Sequence, residues 1–341
     1  MTDLLAPASE AVAEVPSPRR GGGTARYLLT KLGGAVISLF MVVVLGFILF
    51  RVMPGDPVKT MTRGHPVTNE QLAILEHRYG LDKPKIAQFW DYLVKLLHGD
   101  FGDSYQYSRP VGDMILEKLW PTVLLVGTGT ILAVALGLWL GTRAAWQRNS
   151  VFDKASTGIA LAFWSMPTFW LGMILLTAAG GLFPSGGMVY PDTPPDFLSQ
   201  ALDILHHLVL PVITLVAVVY AQYQLVMRSS LLEEMDADYL TTARAKGLRD
   251  DLVRRRHAVP NALLPTVTLV FLHLGMVVAG AITVEAVFSW PGLGQMTYNA
   301  IGVPDLPVLQ GTFIVLAAAV LVMNLIADVL YRFLDPRVRA V

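Results

Sequence analysis

The sequence predicts an all-α integral membrane protein with six transmembrane helices, and three observations carry that expectation. The 341 residues are 54% hydrophobic and only 15% charged, with mean hydropathy +0.53, outside the usual composition of a soluble domain. Six mostly apolar stretches lack Asp, Glu, Lys and Arg: 32–50, 119–142, 155–191, 204–227, 257–284 and 306–327. Each is long enough to cross a bilayer, which takes about 20 mostly apolar residues in a helix. Lys and Arg gather on alternate connections between these runs, as expected where basic residues stay on one side.

Taken in order, residues 1–26 are rich in Ala, Glu, Pro and Gly without apolar periodicity, and read as a disordered cytoplasmic N-terminal tail. Residues 27–51 form the first transmembrane helix, kept as an anchor because no small-residue cleavage site follows it. Residues 52–118 are an external helical segment. There Thr68 and Gln71 make a capping box for "NEQLAILEHRYG", with Gly80 as the stop. "KPKIAQFWDYLVKLLHG" then places Ile86, Phe89, Trp90, Leu93, Leu96 and Leu97 on one face with Gly99 as the stop, a small cap against the membrane. Residues 119–341 are the transmembrane core, with spans at about 119–142, 157–180, 206–227, 261–284 and 307–330. The 37-residue third run is too long for one span, and its Gly- and Pro-punctuated tail "GGLFPSGGMVYP" predicts a helix end near Gly180 and a loop beyond.

Orientation follows from the flanks. Seventeen of the 26 Lys and Arg lie in the N-terminal flank, the second-to-third connection, residues 228–262 and the C-terminus, whereas 181–203 and 285–305 contain none. Both termini are therefore expected in the cytoplasm. The nine basic residues of the long first connection are balanced by nine acids, and long segments cross largely regardless of charge.

Absent motifs narrow the function. The formal net charge is zero, so the basic excess of a nucleic-acid binder is missing. The absence of Cys removes disulfides, Cys-ligated metal and thiol catalysis. No Lys follows Gly, so there is no P-loop, and no His precedes Glu, so there is no H-E-x-x-H zinc pattern. The seven His are scattered and suggest packing rather than a metal site. Coupled carriers place ionisable groups deep in the bilayer, yet these spans are nearly bare. His273 is mid-span and reads as helix packing or a path residue; Glu285 and Asp328 sit near opposite ends, Asp328 at i, i+4 from Arg332. Spans of this kind look like walls moved by something else. A self-sufficient carrier or a membrane-embedded enzyme has less support, since no nucleophile and base pair stands out.

The sizeable basic connection, 228–262, is where a driving partner would act. "SSLLEEMDADYLTTARAK" reads as one helix, Gly247 as its left-handed stop, and Asp250 as the N-cap of a second short helix, "DLVRRRHAV", ended at Pro260. Small residues Thr241, Thr242, Ala243 and Ala245 admit a close partner surface. The residues alone leave two readings open: a docking element, or a basic loop with Arg254 to Arg256 touching lipid phosphate.

This loop resembles the EAA loop, E-A-A-x3-G-x9-I-x-L-P, of ATP-binding-cassette importer permeases. Thr241, Thr242 and Ala243 fall on E-A-A, Gly247 on the Gly, and His257, Val259 and Pro260 on I, L and P, with Thr241, Thr242 and His257 departing from the pattern. "DYLTTARAKGL" is similar to its form in oligopeptide and dipeptide permeases. So are "FRVMPGDPV", "YGLDKP", "HGDFGDSYQYSRPV", "SMPTFWLGMIL", "LFPSGG", "RSSLLE", "VFSWPGLGQMTYNAI" and "DPRVR", in order from about residue 27 to 339.

The resemblance implies a type I ABC importer permease fold, in the first of two permease subunits, in a bacterial plasma (inner) membrane. It implies a second homologous permease, two cytoplasmic ATP-binding subunits holding the ATP and Mg2+, an external substrate-binding protein, and no cofactor on this chain. Peptides are the implied cargo, with nickel, haem or a small glycopeptide as alternatives. The coupling loop would dock the ATPase through Asp238, Tyr239, Thr241, Thr242, Ala243, Arg244, Ala245, Lys246, Gly247 and Pro260. Phe163, Trp164, Ser165, Met166 and Pro167 of the third span, Gln222 and Gln224 of the fourth, and His273 are path candidates, with packing as the competing role for each. Asp56 in "PGDP" and Trp290 in "SWPGLG" read as turn residues, Trp290 at the membrane interface, that face the binding protein.

Overall fold

The computed structural model describes residues 24–52, 68, 70, 71, 74, 77, 82–179 and 181–334, with backbone alone at 24–25, 268, 272–280 and 330–334. Every regular element among the described residues is helical. Helix α1, Thr24–Phe47, passes into a π-helical turn at Ile48–Val52, and α2 spans Lys85–Leu97. Next come α3, Val111–Trp146, then α4, Val151–Trp164, and α5, Thr168–Ala178. Helix α6 is Phe197–Met235, α7 Asp238–Ala245 and α8 Asp250–Val253. A second π-helical turn, Arg254–Ala258, leads into α9, Val259–Val287; α10, Leu293–Gly302, and α11, Leu306–Leu334, complete the order.

Helices α1, α3, α6 and α11 are long and apolar enough to cross a membrane, and the bent pair α4 and α5 makes a fifth crossing when counted as one span. The 29-residue α9 has Glu285 as its single charged residue and supplies the sixth. The predicted third helix is thus not continuous: α4 and α5 meet at 102°. The cause lies in the sequence, because Pro167 has no N–H to continue the ladder and disfavours helical geometry at Met166. Gly180, the predicted end, lies outside the described residues.

The tightest packing is between α3 and α6. Gly129, Ala133, Gly137 and Gly141 recur at four-residue spacing along one side of α3, all buried. A Cβ at Gly137 would lie 2.6 Å from Tyr223 Cβ and 2.7 Å from the Tyr220 carbonyl, and one at Gly141 would lie 2.6 Å from the Gln224 carbonyl. Only hydrogen fits, so the two backbones approach closely, which is how helices associate where water supplies no driving force.

Helix α1 is peripheral and packs on α11, where Lys31 Nζ lies 2.9 Å from Asp328 Oδ2. The carboxylate expected to pair with Arg332 along its own helix is thus engaged across helices; the Arg332 side chain lies outside the described residues. At the far end of α1, Phe89, Leu93 and Leu96 of α2 pack against Val43, Phe47, Tyr92 and Ile314. Ile86, Trp90 and Leu97 form an adjoining arc that stays exposed, so the predicted single face is split between protein contact and surface. Thr68 and Gln71 cap each other reciprocally, at 2.9 and 3.3 Å, and Gly99 adopts φ +76 at the stop of α2.

Candidate functional site

At the basic end of the bundle, α7 is a two-turn helix held on the outside of the transmembrane helices. The helix predicted to run through "SSLLEEMDADYLTTARAK" breaks at Asp236–Ala237, where Ala237 is extended (φ −77, ψ 137). The break turns the apolar side of α7 inward. Leu240 and Ala243 are buried with Ala145 of α3, Met227 and Leu231 of α6, Val253 of α8, Ala258 of the π-helical turn and Ala262 at the start of α9. One small helix therefore shares a buried apolar cluster with residues of three spans.

The opposite side of α7 is open. Asp238, Tyr239, Thr241, Thr242, Arg244, Ala245, Lys246 and Gly247 are exposed, whereas Ala243 faces the bundle and presents nothing outward. Gly247 has φ +80, a region costly for residues with a Cβ, and its N–H bonds the Arg244 carbonyl at 2.9 Å to close the helix. Tyr239 fastens the loop at both ends: its hydroxyl donates to Glu234 of α6 and accepts from Asn261 Nδ2 of α9 at 3.0 Å. Burial and the Glu234 contact push its phenol above the usual range.

Beyond Gly247 the structure departs from expectation. Arg249, not Asp250, occupies the cap position of α8, and Asp250 sits in the first turn accepting from Arg244 Nε at 3.1 Å. The second helix does not stop at Pro260. It continues through the π-helical turn into α9, and Pro260 lies in the first turn of α9.

The path candidates separate. Phe163 and Trp164 end α4, Ser165, Met166 and Pro167 make up the 102° break, and Ser165 Oγ returns to the Leu161 carbonyl at 2.8 Å. Phe163 packs on the buried group of Ala133, Ala160, Tyr220, Ala221 and Tyr223. Gln222 and Gln224 lie on opposite sides of α6, as a two-residue step in a helix requires. Gln222 is half-buried; Gln224 is fully buried, and its amide finds no hydrogen-bond partner among the described residues. The side chain of His273 and all of Asp56 lie outside the described residues.

At the other end of the bundle Trp290 is fully buried rather than interfacial, its Nε1 donating to the Pro121 carbonyl at 2.9 Å. It belongs to an anchor that sequence reasoning missed. Glu285, also fully buried, accepts from Thr122 Oγ1 at 2.8 Å and from the N–H groups of Gly294 and Gln295 at 2.7 and 3.1 Å. A carboxylate at the first turn of α10 is favoured by the orphan N–H groups and dipole there. Thr122 Oγ1 also accepts from Leu293 N at 2.8 Å, so α3, α9 and α10 meet at one hydroxyl and one carboxylate. Asp305 does the same for the segment before α3, accepting from Ser104 Oγ at 2.5 Å and from the N–H groups of Tyr105 and Gln106 at 3.2 and 3.1 Å. The signal for both was an isolated acid beside a turn punctuated by Gly or Pro.

Known proteins resemble the chain along most of its length. Residues 133–340 match the family described as binding-protein-dependent transport system inner membrane component, and residues 24–126 match its N-terminal membrane component. The dipeptide transport system permease protein DppB of Escherichia coli (strain K12) is 35% identical over 334 residues, covering 92% of this chain and 98% of the relative. The glutathione transport system permease protein GsiC of Salmonella typhimurium (strain LT2) is 34% identical over 316 residues, with 92% and 98% covered. Among solved structures, an inward-facing conformation of the MetNI methionine ABC transporter superposes with TM-score 0.52 at 17% identity, covering 65% of this chain and 96% of that one, a likeness of fold. With its broken third span, its short outlying helix on Leu240 and Ala243 and these matches, the chain belongs to the family of inner membrane components of binding-protein-dependent transport systems, the permease subunits of ABC importers.

Proposed function

We propose that this chain is the first of two permease subunits of an ATP-driven importer that moves peptides of the dipeptide and oligopeptide class into the cytoplasm by alternating access. Its partners in this reading are a second homologous permease, two ATP-binding subunits that hold ATP and Mg2+ and carry out hydrolysis, and an external substrate-binding protein. Both termini lie in the cytoplasm, which the distribution of Lys and Arg supports.

The observation that carries the coupling reading is the seating of α7. Its exposed face is free for a partner, while its buried residues share an apolar cluster with residues of α3, α6 and the start of α9, and Tyr239 bonds Glu234 of α6 and Asn261 of α9 directly. Movement of an ATPase subunit against α7 is thereby delivered to three spans at once, the two-state coupling that a transport cycle needs. Peptide cargo is supported by relatives named for dipeptide and glutathione transport, and these names favour it over nickel, haem or a glycopeptide. The test is uptake into vesicles holding the full complex. Labelled dipeptide should accumulate only with both ATP and the loaded binding protein; uptake by this chain alone would refute the proposal.

A further inference from the structure

The basic end carries a second feature, separate from α7. Trp139, Arg143 and Trp146 stand at i, i+4 and i+7 in the last two turns of α3, and so share one helix face. The Arg143 guanidinium lies 5.8 Å from the Trp139 ring and 5.1 Å from that of Phe152, in the first turn of α4. Arg254, from the π-helical turn before α9, reaches the same helix and lies 5.4 Å from the Trp146 ring. Two guanidiniums from different elements thus lie at cation–π distance from aromatic rings.

Neither forms an ion pair among the described residues. The neighbouring acid, Asp153, is occupied by Arg228 at 2.6 Å. A guanidinium that lies beside rings and has no carboxylate partner keeps N–H groups available, and its donor fork matches phosphate oxygens. The depth of the site says which phosphate. Trp139 lies inside the charge-free run 119–142 and is 55% exposed, as are Ile131 and Leu132 two turns deeper at 69% and 51%. A soluble subunit does not reach that level of a bilayer, whereas lipid headgroups lie there, and Trp at a span end marks that boundary.

We propose that Arg143 and Arg254, set beside Trp139, Phe152 and Trp146, form a binding site for the phosphate of an anionic phospholipid. This site is independent of the cargo and of docking on α7.

The test is native mass spectrometry of the chain, purified with its accompanying subunits from vesicles of phosphatidylglycerol and phosphatidylcholine. The intact protein should retain phosphatidylglycerol selectively, and the retention should fall with salt. At roughly five-fold per cation near an anionic surface, Arg143→Gln with Arg254→Gln should lower it about twenty- to thirty-fold. The Arg143→Lys and Arg254→Lys pair, which keeps charge but not the planar donor fork, should fall between the two. Equal retention of both lipids by the intact protein overturns the proposal without any variant. So does stripping of the lipid by inorganic phosphate, which would mark a free-phosphate site, or loss of the ATPase subunits from the Gln pair at unchanged lipid retention.

Discussion

Asp153 accepts two hydrogen bonds from Arg228, 2.6 Å from Nε and 2.8 Å from Nη2, and so ties the first turn of α4 to α6 ten residues before α7 begins. Its Oδ2 also accepts from Asn149 N at 2.9 Å, and the Ser150 hydroxyl caps the Asp153 N–H at 3.1 Å. The broken third span is thereby fastened to the helix that carries the outlying α7.

Asp153→Ala should destabilise the chain by about 2–3 kcal/mol. This is below the value for a fully buried pair, because Arg228 is 26% exposed and water partly compensates it. Thermal unfolding of the purified protein measures the loss. The exchange Asp153→Arg with Arg228→Asp should recover part of it, whereas Arg228→Asp alone should not.

Gly141→Ala drives a methyl against the Gln224 carbonyl, a backbone atom that cannot swing aside. A cost of about 1–3 kcal/mol is expected from overpacking. Gly33 on α1 is the control, since a Cβ there meets nothing within 4 Å; Gly33→Ala should be neutral or slightly stabilising in the same melt.

Glu285→Ala leaves the N–H groups of Gly294 and Gln295 without their acceptor, at roughly 1–3 kcal/mol for each unpaired buried group. Glu285→Gln keeps an acceptor oxygen and should cost less. Equal melting temperatures for the two variants would show that these bonds do not hold α10.

Gly247→Leu places a side chain at φ +80, where about 1–2 kcal/mol of backbone strain is expected, although space is open around it. The strain falls on the turn that closes α7. Substrate-stimulated ATP hydrolysis by the assembled complex should drop several-fold while the chain still assembles with its partner permease.

The spans were legible because a charge-free run is a strong signal in any order of residues. Other features were hidden for identifiable reasons. Pro167 was visible, but the length of the run drew attention to its Gly-rich tail instead. The break at Asp236–Ala237 carries no Pro or Gly; it exists because Leu240 and Ala243 have a pocket to enter, which is tertiary information. Trp290 at the end of a span has the composition of an interfacial residue, and only its bond to the Pro121 carbonyl, 169 positions away, places it inside. Glu285 likewise depends on Thr122 across 163 residues. Of the loop, Gly247 as a left-handed stop was readable from its type and spacing, while the inward turn of Ala243 was not.

The central claim is that the exposed face of α7 meets the ATPase. The chain contains no Cys, so single-cysteine variants carry one thiol each. Disulfide cross-linking to an ATPase subunit with cysteines along its docking cleft, with Thr241→Cys, Ala245→Cys and Ala243→Cys compared side by side, tests the claim most directly. Cross-links at 241 and 245 with none at the buried position 243 are predicted; cross-linking at 243 alone, or at none of the three in an intact complex, would contradict it.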